Sequence, residues 1–163
     1  QLDPSRGLLC CSRTNAYKMS HNNWWGDAAL NCGLESKLSE FATRKWSLQG
    51  ETCGPSIQKN RLKLKQLEVF AFQIWDGIRY LDFNDFFNVC KLYDIQTVPL
   101  VEAGGAFNYT FDQLIEIASN VTYANGGMAE GIVIRPQHEF YSNVMLGRMS
   151  FKVENPLYRA KND

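Results

Sequence analysis

The alternation of apolar and polar positions along the chain predicts a series of short strands and short helices. The apolar runs Leu8–Ser12 and Leu67–Trp75 have the length and the β-branched and aromatic content of strands. Trp24–Leu30 and Gly33–Lys45 have helical spacing instead, with apolar residues three and four positions apart. Elements of both kinds therefore alternate early in the chain.

The second half continues the mixture. Further strands are predicted at Trp46–Thr52, Ile78–Leu81, Thr97–Val101 and around Val133 and Phe151, with Asp76-Gly77 as a hairpin turn. Further helices are predicted from Asp82 to Tyr93 and, behind a Thr110 cap, over Phe111–Ser119. Because the elements lack a regular βαβ order, we predict an α+β fold with antiparallel sheets, in a single domain over residues 1–163.

Composition narrows the class of protein. Of 163 residues, 45% are hydrophobic and 21% are charged, which is typical of a globular chain. No apolar run is long enough to span a membrane, and the first residues lack a secretion-signal pattern. The five cysteines are odd in number and lack zinc-site spacing. We therefore expect reduced thiols, no membrane association and an intracellular, cytoplasmic location.

Charge gives no overall attraction to nucleic acid, because Lys+Arg and Asp+Glu both number 17. Any nucleic-acid contact must use a local patch. Arg61, Lys63 and Lys65 alternate with leucines, so their cations share a face if the segment is extended. The alternative interpretation is an ordinary solvated surface.

Four segments carry candidate chemistry, in a fixed order. Gly50–Asn60 reads Gly-Glu-x-x-Gly-Pro-x-Ile-Gln-x-Asn, and Phe70–Ile74 is an aromatic strand. Glu130–Pro136 joins a carboxylate, a glycine, a strand and an arginine, and Ser150–Asn155 places a lysine within an apolar strand. Together they resemble the motifs of the ATP-dependent RNA ligases, especially the Deinococcus-type branch and its phage and RNA-editing relatives.

This resemblance covers about Leu9 to Tyr158 and implies a fold, a reaction and cofactors. The fold would be a covalent nucleotidyltransferase (ATP-grasp-like) domain with two packed antiparallel sheets, flanking helices, and ATP with Mg²⁺ or Mn²⁺ in the cleft between the sheets. The reaction would seal the 3′-OH and 5′-phosphate ends of nicked or broken RNA, as in RNA repair. It would pass through lysyl-AMP and RNA-adenylate.

The resemblance also assigns residues to roles. It implies that Glu51 contacts the ATP ribose and that Phe72 stacks on the adenine, although Phe72 is equally consistent with a plain core position. It implies that Glu130 supports the catalytic metal and that Lys152 contacts the α-phosphate, so Glu51, Glu130 and Lys152 are the candidate catalytic residues. A lysine in an apolar strand is costly to bury unpaired, which favours a cleft containing an anion.

Two arginines complete the candidate nucleotide-binding set. Arg13, in Cys-Ser-Arg-Thr-Asn, resembles the family arginine near the nucleotide. Arg135 is a candidate for a phosphate or pyrophosphate contact, because its planar guanidinium suits an oxyanion.

The chain departs from the family pattern at the nucleophile. The family uses a lysine in Lys-x-Asp-Gly, whereas the nearest segment here, Gln1–Ser5, has a glutamine whose amide cannot form a phosphoramide. Lys18 lies in a polar loop, the wrong setting for an activated nucleophile. Smaller departures are Gln73, where several relatives have Asp, and Glu154, where the phage branch has a second lysine.

Several interpretations stay open at this point. In the first, the chain is an RNA ligase domain whose nucleophile lies outside the sequence given. In the second, it is a noncatalytic module of the same fold that binds nucleotide or RNA. More remote alternatives are a DNA ligase or capping enzyme of the same superfamily, and an unrelated α+β domain.

Overall fold

The computed structural model describes residues 1–12, 14–21, 23–39 and 45–162. Two compact units, Gln1–Val98 and Pro99–Asp163, divide the chain. Whether the two units form the single predicted domain over residues 1–163 remains a prediction.

The first unit contains two antiparallel sheets. Strands β1 (Leu2–Asp3), β2 (Gly7–Cys11) and β3 (Ala16–Lys18) form one sheet in that order. Strands β4 (Ser47–Cys53) and β5 (Glu68–Trp75) form the other. The predicted strands near Leu8, Trp46 and Leu67 are thus confirmed within a residue or two, while β3 lies in a stretch that the polar sequence marks as loop.

Three helices belong to this unit: α1 (Trp24–Asn31), α2 (Leu34–Ser39) and α3 (Phe83–Leu92). Helix α1 begins where predicted, because the Asn23 side chain accepts a hydrogen bond from the Gly26 amide at 2.7 Å. The sequence predicts that Leu34, Leu38 and Phe41 face the core from one side of this helix; α2 buries Leu34 and Leu38, and Phe41 lies outside the described residues. Lys45 is not helical, so the predicted helix end was wrong.

The core of the first unit is formed by residues from several of these elements. Its buried members include Leu8 from β2, Ala29 from α1, Ile74 from β5 and Phe86 from α3. Apolar burial of this kind contributes roughly 25 cal/mol per Å². Strand β5 therefore packs against helices α1 and α3.

Two predicted strands are reduced to single bridges. The segment after Asp76 turns back and pairs with β5 only at Trp75–Tyr80, because the Asp76 carboxylate accepts from the amides of Ile78 and Arg79 and closes a tight turn. The segment from Thr97 meets β5 at one parallel bridge to Ala71 and is not a strand beyond it. Both predictions of full strands were wrong.

The second unit combines two small antiparallel pairs with two helices. Strand β6 (Gly131–Ile134) pairs with β9 (Phe151–Glu154), and β7 (Tyr141–Ser142) pairs with β8 (Gly147–Arg148). Helices α4 (Phe111–Asn120) and α5 (Pro156–Asn162) complete it. Leu114 and Ala118 of α4 pack with Val153 of β9 to form the core.

Helix α4 begins at the predicted cap. The Thr110 hydroxyl accepts from the Gln113 amide at 3.3 Å, and the Gln113 side chain accepts from the Thr110 amide at 2.8 Å. This reciprocal pair is a capping box, which satisfies two amides that the helix leaves without intrahelical partners. Within the described residues, no helix has the length and apolar character needed to cross a membrane.

Candidate functional site

Glu51 lies near the end of β4 and is exposed. Among the described residues its carboxylate forms neither a hydrogen bond nor an ion pair, so it is available to an external group. The preceding Gly50 allows β5 to approach closely, since a Cβ there would lie 2.7 Å from the Phe70 carbonyl oxygen. The Gly-Glu pair thus combines a tight strand contact with a presented carboxylate.

Phe72 lies at an irregularity in the β4–β5 ladder. The register passes from Gln49–Gln73 directly to Gly50–Ala71, so a β-bulge falls at Phe72. Bulges redirect side chains and are common beside active sites. Phe72 is half-buried, whereas Ala71 and Gln73 on either side are buried. This placement is compatible with a ring that offers one face to a base.

Gln73 has a structural role at the position where relatives have an acid. Its side chain is 4% exposed, and its Oε1 accepts from the Ile74 amide at 2.9 Å. An aspartate here would place a carboxylate in the core, which is costly. A neutral amide is therefore the better fit to this environment.

In the second unit, charged side chains form a chain of ion pairs along β9. The Lys152 ammonium hydrogen-bonds the Glu130 carboxylate and lies 3.4 Å from Glu154 Oε1. Glu154 in turn lies 3.7 Å from the Arg159 guanidinium of α5. All four side chains are between 42% and 70% exposed, so solvent or a ligand can reach them.

These contacts keep Lys152 charged. The hydrogen bond that Lys152 donates to Glu130 is the largest cause that raises the pKa of Lys152, and Glu154 acts in the same direction. Lys152 is therefore a cation throughout the physiological range. It lies beside carboxylates rather than in the apolar setting that its flanking sequence suggests.

The glycine after Glu130 determines how closely β6 and β9 approach. Gly131 has φ of 150°, and a Cβ at this position would lie 2.1 Å from the Val153 carbonyl oxygen. Only glycine fits such a contact without a backbone shift. Gly131 thereby brings the Glu130 end of β6 against the strand that carries Lys152.

Asn155 connects the segment before β6 to the start of α5 through hydrogen bonds. The sequence analysis gave this residue no role. It is completely buried, and its amide nitrogen donates to the Ala129 carbonyl at 3.2 Å. Its Oδ1 accepts from the Leu157 and Tyr158 amides, which caps α5, and its backbone amide donates to the Glu130 carbonyl. Asparagine before a proline is a helix-start signal that could have revealed this residue.

Arg135 lies at the opposite end of β6 from Glu130. Its Nε donates to the Ser150 hydroxyl at 3.3 Å, and burial together with nearby Arg148 lowers its pKa. Arg148 itself makes a two-pronged salt bridge to Glu139 at 2.6 and 2.8 Å. The structure thus places Arg135 in a different charge cluster from Lys152.

The remaining predicted positions have separate outcomes. Arg13 lies outside the described residues. The Arg61–Lys65 segment is not extended, because Lys63 has a φ of 54° and the segment lies within a folded loop. Its cations therefore do not share a strand face, and that part of the prediction was wrong.

Residues 2–154 match the family described as RNA ligase. The chain belongs to the RNA ligase family. This match covers Glu51, Phe72, Glu130 and Lys152, and it confirms the resemblance on which their roles were predicted. The roles themselves remain predictions.

Solved structures of RNA ligase from Naegleria gruberi are similar to this RNA ligase family member. The structure with pyrophosphate is 26% identical with a TM-score of 0.79, and a lysine-to-alanine variant with ATP and Mn is 26% identical with a TM-score of 0.78. A glutamate-to-alanine variant with AMP and Mn is 25% identical, also with a TM-score of 0.78.

Each comparison covers 93% of this chain and 44% of the Naegleria chain, so this RNA ligase family member spans less than half the length of those relatives. No match was found among proteins with curated annotation. The similarity in structure confirms the predicted mixed fold with small antiparallel sheets and flanking helices.

The donor set around Glu130 suits a metal that is shared with a nucleotide. Within the described residues, no three His, Cys, Asp or Glu side chains cluster to form a complete metal site. Mg²⁺ usually binds through one or two carboxylates together with substrate phosphates and water. Glu130 fits that pattern as one exposed carboxylate ligand of such a metal.

Proposed function

We propose that this chain is part of an ATP-dependent RNA ligase that seals 3′-OH and 5′-phosphate RNA ends. The observation that carries the proposal is the exposed Lys152, held cationic by Glu130 and Glu154 within a segment that matches the RNA ligase family. A nucleotide α-phosphate needs such a cation, because charge neutralisation supplies much of the barrier lowering in nucleotidyl transfer.

The proposed reaction has three steps. A lysine amine attacks the α-phosphate of ATP, forms a P–N bond and expels pyrophosphate. The 5′-phosphate of RNA then attacks the same phosphorus and releases the lysine. The RNA 3′-OH finally attacks the activated 5′-phosphate, and AMP leaves. Each attack places negative charge on phosphate oxygens, which Lys152 neutralises in this proposal.

Four of the candidate residues have one task each in this proposal. Glu51 accepts hydrogen bonds from the ribose hydroxyls, and Phe72 stacks on the adenine, a contact worth about 1 to 3 kcal/mol for bases on aromatic rings. Lys152 contacts the α-phosphate. Glu130 would hold Mg²⁺ or Mn²⁺, which supplies further neutralisation of phosphate charge when bound.

The Glu130–Lys152 ion pair is compatible with both tasks. It raises the pKa of Lys152 and holds the two side chains close to each other. ATP with its metal offers each group a partner of the opposite charge, so binding exchanges one set of charge contacts for another. Such an exchange limits the desolvation cost of bringing a triphosphate to the site.

A noncatalytic member of the same family is the second candidate. Within the sequence given, the segment nearest to Lys-x-Asp-Gly is Gln1–Ser5, whose glutamine lacks an amine that could attack ATP. Such a protein would bind ATP or RNA without forming lysyl-AMP. Covalent labelling separates the two candidates.

The test is to incubate the full-length protein that contains this chain with radiolabelled ATP and Mn²⁺ and to examine a denaturing gel for acid-labile label. The ligase proposal expects a labelled band that Glu51→Ala, Glu130→Ala or Lys152→Ala abolishes. Glu116→Ala, which removes an exposed carboxylate of α4, is the matched control and should retain the label.

ATP binding measured by calorimetry completes the test. Binding without label would favour the noncatalytic module. A protein that neither binds ATP nor becomes labelled would contradict both candidates.

A further inference from the structure

The loop between β4 and β5 concentrates positive charge in a chain with no net charge. From Thr52 to Leu67 the sequence contains Lys59, Arg61, Lys63 and Lys65 and no acidic residue. The whole chain is balanced at 17 cations and 17 anions, so this segment is a local departure. Local clusters of one sign attract ligands of the other.

The three lysines of this loop are available to a ligand. Lys59, Lys63 and Lys65 are exposed, and among the described residues none of them forms an ion pair or a hydrogen bond through its side chain. In contrast, Lys37 and Lys152 elsewhere are paired with carboxylates. The loop therefore differs from these other cationic positions in leaving its ammonium groups unneutralised.

The loop also has a defined internal structure. The Asn60 side chain accepts from the Leu64 amide at 3.0 Å and donates to the Leu64 carbonyl at 2.8 Å. At its base, Gly54 lies against the Gln66 backbone so closely that a Cβ would be 2.5 Å from the carbonyl oxygen. A loop with adjacent ends and internal hydrogen bonds is a compact Ω-type loop, a class that is frequently functional.

The backbone of the loop is held in a conformation that is rare for residues with side chains. Gln58, Lys59 and Asn60 have φ of 43°, 59° and 48°, which makes one left-handed turn, and Lys63 has φ of 54°. Left-handed residues cluster at functional sites when the surrounding structure holds them. Here the Asn60 bonds provide that restraint and direct the lysines outward.

We propose that the loop 54–66 binds the phosphodiester backbone of RNA through Lys59, Lys63 and Lys65. This inference rests on the proposed RNA ligase function, because it names the surface that holds the RNA. Ammonium groups are point charges that suit phosphates, and contacts to phosphates position nucleic acid without reading sequence. The segment 52–67 contains no aromatic residue, so it offers charge and not base stacking.

The test is the salt dependence of RNA binding by the full chain. Each phosphate neutralised on a single strand contributes about 0.7 to the slope of log affinity against log salt. Replacing Lys59, Lys63 and Lys65 with glutamine is expected to weaken binding of a short single-stranded RNA and to reduce that slope by about 2. The matched control replaces the exposed Lys18, Lys91 and Lys161 with glutamine, and its slope should change less.

A second variant tests whether the internal hydrogen bonds of the loop matter for RNA binding. Asn60→Ala keeps every lysine and removes both side-chain bonds to Leu64, so affinity at fixed salt should fall several-fold while the slope changes little. Unchanged affinity would contradict the role of the ordered loop. Equal slopes for wild type and the triple-lysine variant would overturn the proposal as a whole.

Binding of ATP with Mn²⁺, measured on the same samples, separates this proposal from the ligase function. A triple-lysine variant that binds ATP as the wild type does, and has lost the RNA slope, supports the loop as the RNA surface. Loss of ATP binding in every sample, with the RNA slope still dependent on the lysines, would refute the ligase function alone. Wild-type ATP binding with an unaffected RNA slope would refute the loop proposal alone.

Discussion

Asn155 offers the sharpest test of how the second unit holds Glu130 and Lys152. Replacing it with alanine removes the cap of α5, which costs about 1 kcal/mol. It also leaves the buried Ala129 carbonyl without its donor, for a further penalty of about 1 to 3 kcal/mol. The sum, about 2 to 4 kcal/mol, corresponds to a fall in melting temperature of about 5 to 15 °C in a chain of this size.

Matched variants separate the two contributions. Asn155→Ser keeps a side-chain acceptor for the Leu157 and Tyr158 amides but cannot reach the Ala129 carbonyl, so it should recover about 1 kcal/mol relative to alanine. Asn155→Asp keeps the same acceptor and turns a carboxylate toward that carbonyl. Because burial opposes ionisation, this variant should be less stable at neutral pH than at acidic pH.

Urea unfolding measures these differences, and hydrogen exchange locates them. The Leu157 and Tyr158 amides should lose protection in the alanine variant and keep it in the serine variant. A wild-type urea midpoint for Asn155→Ala would refute the reasoning, since a fully buried polar network would then contribute nothing. Equal exchange in the two variants would refute the assignment of the cap.

Three further predictions concern the strand ends and the core. Gly131→Ala should destabilise the second unit in urea unfolding and weaken ATP binding, because its Cβ would clash with the β9 backbone. Gly147→Ala is the control: its Cβ would have no neighbouring atom nearer than 3.7 Å, so its stability should be almost unchanged. Glu130→Gln should lower the pKa of Lys152, so the alkaline loss of ATP binding should move to lower pH in a calorimetric pH series. Burial raises the pKa of Cys90 to about 12 from an ordinary value of 9.0, so the folded state retains the thiol proton that the unfolded state loses. Stability should therefore fall as pH rises from 9, by up to about 1.4 kcal/mol per pH unit, and Cys90→Ala should flatten this loss in unfolding measured against pH.

The sequence was most informative where periodicity and capping chemistry act within one segment. Thr110 was predicted to cap a helix over Phe111–Ser119, and α4 spans Phe111–Asn120 behind that cap. Strand β5 was equally clear because eight consecutive residues carry its pattern. In these cases local preference and tertiary packing agree.

The predictions failed where a few hydrogen bonds outweigh residue preference. The apolar segment Thr97–Val101 has strand propensity, but only Thr97 finds a bridge, so the rest stays outside any sheet. Arg61–Lys65 alternates like a strand, yet the Asn60 side chain binds Leu64 and closes a loop instead. Alternation is a weak predictor when one side chain can satisfy backbone groups across four residues.

The candidate site was also only partly predictable from the sequence. Sequence motifs identified Glu51, Glu130 and Lys152, but not the contacts that determine their charge and position. The pairing of Lys152 with Glu130 depends on the register of β6 against β9, which no single segment encodes, whereas Glu154 lies two residues from Lys152 on the same strand. Asn155 had a readable helix-start signal, yet its bond to Ala129 spans 26 residues.

Glu154 shows how a departure from the family pattern can be accommodated. Where the phage branch has a second lysine, this chain has a carboxylate that lies between Lys152 and the Arg159 guanidinium. A lysine at this position would repel Lys152, whereas the carboxylate helps to raise its pKa and brings a cation from α5 to the same strand end. Two cations, Lys152 and Arg159, thus lie beside one carboxylate, the first on the strand and the second on helix α5.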